Sequence, residues 1–191
     1  FDILSLDDFH DKVGAVYETL ARVKHALPPE VTLLGFAGAP WTVATYMIEG
    51  AGSKDHAAAR QLGYGNPALF GRLLDMLVDA TAAYLCRQIE AGADAVQIFD
   101  SWAAALPTSA FEEWVIKPTR AIVDKVRARH PETPIIGFPR LAGAMLPEFV
   151  QKTDVDAVSL DTGVPLQWAA DTLQKDVCVQ GNLDPHLVVA G

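Results

Sequence analysis

Five short apolar runs alternate with longer stretches of helical periodicity, and this alternation restricts the fold more than any other feature of the chain. The runs are 31–37 (VTLLGFA), 95–99 (AVQIF), 134–138 (PIIGF), 157–160 (AVSL) and 177–180 (VCVQ). Between them lie helical patterns at about 67–91, 109–129, 145–151 and 165–174, and another precedes the first run at 6–27. In the 6–27 pattern Val13, Val16, Tyr17, Leu20, Val23 and Leu27 form the apolar stripe, and Ser5 or Asp7 offers a cap. Ser109 offers a cap to the 109–129 helix, and Pro118 is expected to kink it. Strands separated by helices pair in parallel through right-handed crossovers, so the fold class is α/β. Two closures fit: a doubly wound sheet, or a (β/α)₈ TIM barrel that collects its strand carboxyl ends at one mouth. A doubly wound sheet often carries G-x-G-x-x-G after its first strand, and GFAGAPW does not have that spacing. Five strands cannot close such a barrel, so a barrel reading implies about five of eight β/α units in one domain, 1–191, truncated at both ends.

The stretch Leu33–Gly50 holds the richest local signal. Its run at 31–37 is apolar throughout, as a strand covered on both faces would be. Gly38 and Ala39 then make a tight turn, and Pro40 stands where a helix can start without a missing hydrogen bond. Thr42, Tyr46 and Glu49 share one face of that helix, while Trp41, Ala44 and Ile48 share another. Residues 50–66 read as a loop with a helical turn or two at 57–62, either a binding loop or a solvated connection.

The formal net charge of −9 argues against a nucleic-acid partner, because a phosphate backbone selects a basic surface. No apolar run approaches the roughly 20 residues of a membrane span, and no basic-then-apolar leader opens the chain. Cys86 and Cys178 are far apart in apolar surroundings, which suits two buried thiols in a reducing cytoplasm. No Cys/His cluster has metal-ligand spacing. Phe1 in place of Met, and a final stretch that reads as an interrupted helix, suggest a fragment.

If the strand ends converge, the mouth holds Tyr46, Phe99, Asp100, Ser101, Arg140, Asp161, Thr162, Asn182 and Asp184. Ser101 has no histidine at a spacing suited to a nucleophile–base pair, so the set points to a polar pocket with aromatic walls. Each residue also has a plainer reading. Tyr46 packs across its helix, Ser101 caps a turn, Asp161 and Asp184 form turns, and Arg140 pairs with a nearby carboxylate.

The segments GFAGAPWTVATYMIEG, QIFDSWAAAL, IIGFPRLAG, LDTGVPL and VQGNLDP, in this order and spacing, resemble the uroporphyrinogen decarboxylase family over nearly the whole chain. In IIGFPRLAG the chain departs from many members, which have glycine where Leu141 stands. The resemblance implies a TIM barrel acting as a cytoplasmic homodimer in haem and tetrapyrrole synthesis. It implies cofactor-free loss of carbon dioxide from the four acetates of uroporphyrinogen III, giving coproporphyrinogen III. It implies that Tyr46, Phe99 and Ser101 contact the substrate. The family's arginine-rich motif and its pyrrole-binding aspartate would fall before Phe1, and its histidine after Gly191. These 191 residues alone are therefore expected to be inactive. The rivals are a zinc-dependent corrinoid methyltransferase of the same superfamily and a non-catalytic half-barrel binding module. The methyltransferase needs His-x-Cys where this chain reads IIGFPRLAG.

Overall fold

A computed structural model describes residues 6–191; Ser5 and the side chain of Asp7, offered above as caps, lie outside the described part. Five parallel strands form one sheet: β1 (Leu34–Gly38), β2 (Ala95–Asp100), β3 (Ile135–Pro139), β4 (Ala157–Ser159) and β5 (Cys178–Gln180). Their order in the sheet is the order in the chain. Successive right-handed crossovers stepping in one direction leave the connecting helices on one face of the sheet. A doubly wound sheet reverses its strand order, and this one does not.

The helical layer contains α3 (Pro40–Glu49), α4 (Ala57–Gly65), α5 (Pro67–Glu90), α6 (Thr108–Phe111), α7 (Lys117–Arg129), α8 (Leu146–Thr153) and α9 (Leu166–Thr172). Val96, Ile98, Ile135 and Val158 point into it and are buried, against a core that includes Phe70, Leu85, Ile122, Val126 and Phe149. Gly137 faces that layer because a Cβ there would stand 2.6 Å from the Phe149 ring of α8.

The opposite face is open. Burial along β1 therefore alternates, with Leu34 and Phe36 exposed and Gly35 and Ala37 buried, and the expectation of two covered faces is corrected. β1 also starts three residues later than expected, because the Val31 N–H turns back onto the Pro28 carbonyl. Cys86 is buried as expected, but Cys178 is exposed, since it stands on the open face of the last strand.

Helix boundaries differ in other places. The 6–27 helix is two, α1 (Leu6–Lys12) and α2 (Gly14–Ala26), and of the stripe in α2 only Tyr17 is buried. Residues 57–65 form a full helix rather than a turn or two. Ser109 is not a cap, since Pro107 precedes the first turn of α6. The irregularity expected at Pro118 falls just upstream, as a π turn at Glu112–Ile116. Pro118 has no N–H to give the Trp114 carbonyl, and a widened turn accommodates that loss. The last segment, α10 (Pro185–Ala190), leaves Leu187, Val188 and Val189 exposed.

Candidate functional site at the carboxyl edge of the sheet

Parallel pairing brings the carboxyl ends of all five strands to one edge. The ends of β1 and β2 are tied directly, as the Ala39 N–H donates to the Phe99 carbonyl at 2.8 Å. With Pro40 at its first position, α3 then rises from that tie.

The polar face of α3 separates into three tasks. Thr42 is buried, and its hydroxyl donates to Asp100 Oδ1 at 2.6 Å. Tyr46, one turn on, is 49% exposed, and its ring lies edge-on to Trp102 with centroids 6.1 Å apart. Glu49 accepts the Ala59 N–H at 3.1 Å and so seats α4 against α3. In front of α4, His56 is buried in a left-handed conformation (φ 52°), with its ring 4.9 Å from that of Trp102. The stretch at 50–66 thus backs Trp102, the wall against which Tyr46 rests.

β2 presents Phe99 on the open face and Asp100 on the helical one. Asp100 is therefore not at the mouth, and its inclusion there is corrected: neighbouring residues of a strand face opposite ways. Only 2% of it is exposed. Burial pushes its carboxyl up to about 7, against the opposing pull of the Thr42 hydroxyl and the Trp102 amide. Ser101 follows in a turn, partly exposed, and its hydroxyl bonds to none of the described residues.

Phe99 belongs to an aromatic arc that sequence reasoning missed. Phe36 of β1 and Phe138 of β3 each stand edge-on to it at 5.8 Å. The register pairs Phe99 with Phe138 and places Phe36 opposite Gln97. The available signal was a phenylalanine near the end of each of three successive apolar runs; the register aligns Phe99 with Phe138 and sets Phe36 two residues back. Beneath the arc, Gln97 and Gln180 amides both donate to the Ser159 hydroxyl, at 2.7 and 2.6 Å.

The other strand ends sort into structural and free groups. Asp161 accepts from the Gly163 and Leu141 N–H groups, at 3.1 and 3.0 Å, and ties the loop after β3 to the end of β4. Asn182 donates to the Asp161 and Val164 carbonyls, and Asp184 accepts the His186 N–H at the start of α10. These three make loops, in line with the plainer reading of Asp161 and Asp184. Thr162 is exposed beside a groove of about 520 Å³ that Leu166, Asn182 and Leu187 also line. Arg140 is exposed, and among the described residues its side chain forms no ion pair.

In its chemistry, the edge offers an aromatic surface and, among the described residues, three hydroxyls without a hydrogen-bond partner (Tyr46, Ser101 and Thr162) and the Arg140 guanidinium without an ion pair. It suits a flat, polar ligand carrying negative charge. Among the described residues, no group of three or more His, Cys, Asp or Glu side chains is placed to hold a metal ion.

Comparison with known proteins gives the same direction. The family model described as uroporphyrinogen decarboxylase matches residues 2–191. The uroporphyrinogen decarboxylase of Sphingopyxis alaskensis is 52% identical over 189 residues, covering 99% of this chain and 55% of the relative. Those of Mesorhizobium japonicum and Gluconobacter oxydans are 53% and 52% identical, covering 98% and 100% of this chain and 54% and 55% of themselves. The chain spans about half the length of these curated relatives. With a family model matched from residue 2 to residue 191, this chain belongs to the uroporphyrinogen decarboxylase family.

Proposed function

We propose that the full-length protein decarboxylates uroporphyrinogen III, converting its four acetate side chains to methyl groups and yielding coproporphyrinogen III. The observation that carries the reading is about 50% identity, over nearly the whole chain, to proteins bearing that name. In this reading residues 1–191 supply five units of a single eight-unit barrel, and the protein is a cytoplasmic homodimer. No metal or organic cofactor takes part.

The residues have definite tasks in such a reaction. The arc of Phe36, Phe99 and Phe138 receives pyrrole rings edge-on or offset, as aromatic pairs prefer. Tyr46 and Ser101 donate their free hydroxyls to substrate carboxylates. Arg140 offsets the repulsion between a net charge of −9 and a polyanionic substrate. A proton added to the pyrrole makes it an electron sink. The C–C bond to the carboxylate breaks, carbon dioxide leaves, and the electron pair flows into the ring. A second proton then reaches the methylene carbon and completes the methyl group, and the proton first added to the ring leaves, restoring the aromatic pyrrole. The substrate's own ring thus does what a cofactor does in other decarboxylases. By family resemblance, the groups that move these protons lie outside residues 1–191.

The test is conversion of uroporphyrinogen to coproporphyrinogen by the full-length protein, with Tyr46→Phe as the probe of the site. The variant is expected to lose about tenfold in kcat/KM, the scale of one hydrogen bond to a charged group, with little change in melting temperature. An unchanged rate removes Tyr46 from the site. Absence of any conversion by the wild type overturns the function itself.

A further inference from the structure

We propose that Thr42 and Asp100 form the joint that sets where the Tyr46 ring stands relative to Phe99 and Ser101, making both of them positioning residues. The proposal rests on the decarboxylase reading for its kinetic arm only.

The argument is geometric. Tyr46 has no hydrogen bond of its own to any described residue, so its place depends on its helix and on the ring beside it. Thr42 lies four residues earlier on the same face of α3 and is the point where that face meets β2, through the 2.6 Å bond to Asp100. The same hydroxyl oxygen accepts the Trp102 N–H at 3.4 Å, and the Trp102 carbonyl accepts the Trp41 indole N–H at 3.1 Å. Trp102 is the ring against which Tyr46 rests. One hydroxyl therefore reaches both the helix that carries Tyr46 and the segment that carries its neighbour. Asp100 is flanked in sequence by Phe99 and Ser101, so the joint fixes α3 to the end of β2 and the turn after it, which bear the other two site residues.

The environment of the joint suits a fixed part. Asp100 is buried, and Asp100 Oδ2 bonds to no described group. Neighbouring segments carry ionisable residues, among them Tyr46 and Glu49 of α3, His56 before α4, and Arg140 after β3, whose backbone N–H reaches the Asp100 carbonyl. None of them bonds the Asp100 carboxyl. A neutral carboxyl accepting from a threonine needs no counter-charge there.

Double-mutant kinetics in the full-length protein test the joint. Thr42→Val keeps the side-chain shape and removes the hydroxyl. It is expected to lower kcat about tenfold, and Thr42→Ser to restore it to within about twofold. In a Tyr46→Phe background Thr42→Val is expected to cost nothing further, because its effect runs through Tyr46. A full, additive loss in that background overturns the proposal. If the wild type shows no decarboxylation, the function reading fails and the joint is judged without activity, by fluorine NMR of 3-fluorotyrosine at position 46. Thr42→Val is expected to shift or broaden that resonance and Thr42→Ser to return it; a resonance that Thr42→Val leaves in place overturns the joint. Should Thr42→Val fail to fold, Asp100→Leu breaks the same contact from the strand side and carries the same two expectations.

Discussion

A carboxyl group buried without a cation beside it avoids the cost of its charge by keeping its proton. Asp100 is such a group, and the consequence reaches stability. Its ordinary value of 3.8 rises to about 7 in the folded protein. A raised acid contributes its full share below the unfolded value and loses it as pH climbs to the folded one. Relative to Asp100→Asn, which does not titrate, the wild type is therefore expected to lose on the order of 4 kcal/mol between pH 4 and pH 7 and to change little above that. Urea unfolding of both proteins at full length across that range measures the difference, and a constant gap would rule the idea out. Arg140 is the opposite case, an exposed cation with no described partner. If it meets a substrate carboxylate in ground state and transition state alike, Arg140→Gln should raise KM about tenfold and leave kcat nearly unchanged. A KM equal to that of the wild type takes Arg140 out of substrate binding.

Between α4 and the strand-end wall, one glycine governs the packing. Trp114 stacks on Trp41 at 5.3 Å and stands 5.0 Å from both Phe70 and Tyr64. A Cβ at Gly63 would lie 2.5 Å from that indole. Gly63→Ala is expected to destabilise by about 1–3 kcal/mol, the usual cost of overpacking, and to loosen α4 from Glu49. Thermal melts of the two proteins at full length measure it, and an unchanged midpoint would mean the tryptophan moves freely. The same scale shows what the residues conveyed in advance. Apolar runs and glycine–proline punctuation located every strand to within a few residues, because burial of the helical face demands them. Those runs did not reveal that the other face is open, since five apolar residues read alike whether one face or two are covered. Thr42 shared a helical face with Tyr46, yet its partner Asp100 lies 58 residues away, beyond the reach of periodicity. Tyr46, Phe99 and Ser101 were grouped in advance by strand ends and family resemblance, whereas the contact of Phe36 and Phe138 with Phe99 emerged only with the structure. The stripe of α2 misled for a related reason: its spacing is helical, but Val16 and Val23 meet no described core.

At the scale of the whole molecule, the open face dominates. Phe36 is 62% exposed and Val189 85%, and Leu34, Leu183, Leu187 and Val188 are exposed with them. Among the described residues β1 and β5 each pair with a strand on one side only, and on the free edge of β1 the Gln88 amide covers just the Phe36 N–H and carbonyl, at 2.9 and 2.8 Å. Such edges template association, and an exposed apolar face adds the driving force for it. The net charge of −9 opposes contact between copies, but at physiological salt it acts over only about 8 Å and does not protect an apolar surface in direct contact. The 191-residue chain on its own is therefore expected to self-associate and to unfold without a sharp transition, and to release no coproporphyrinogen from uroporphyrinogen. Sedimentation velocity over a tenfold concentration range, a thermal scan and a product assay examine these three expectations separately. A monomer with a cooperative melt would mean that the aromatic arc and its surroundings shield themselves. Turnover by the isolated chain would mean that the proton-moving groups lie within it, and Arg140, Ser101 and Tyr46 would then be the first to reassign.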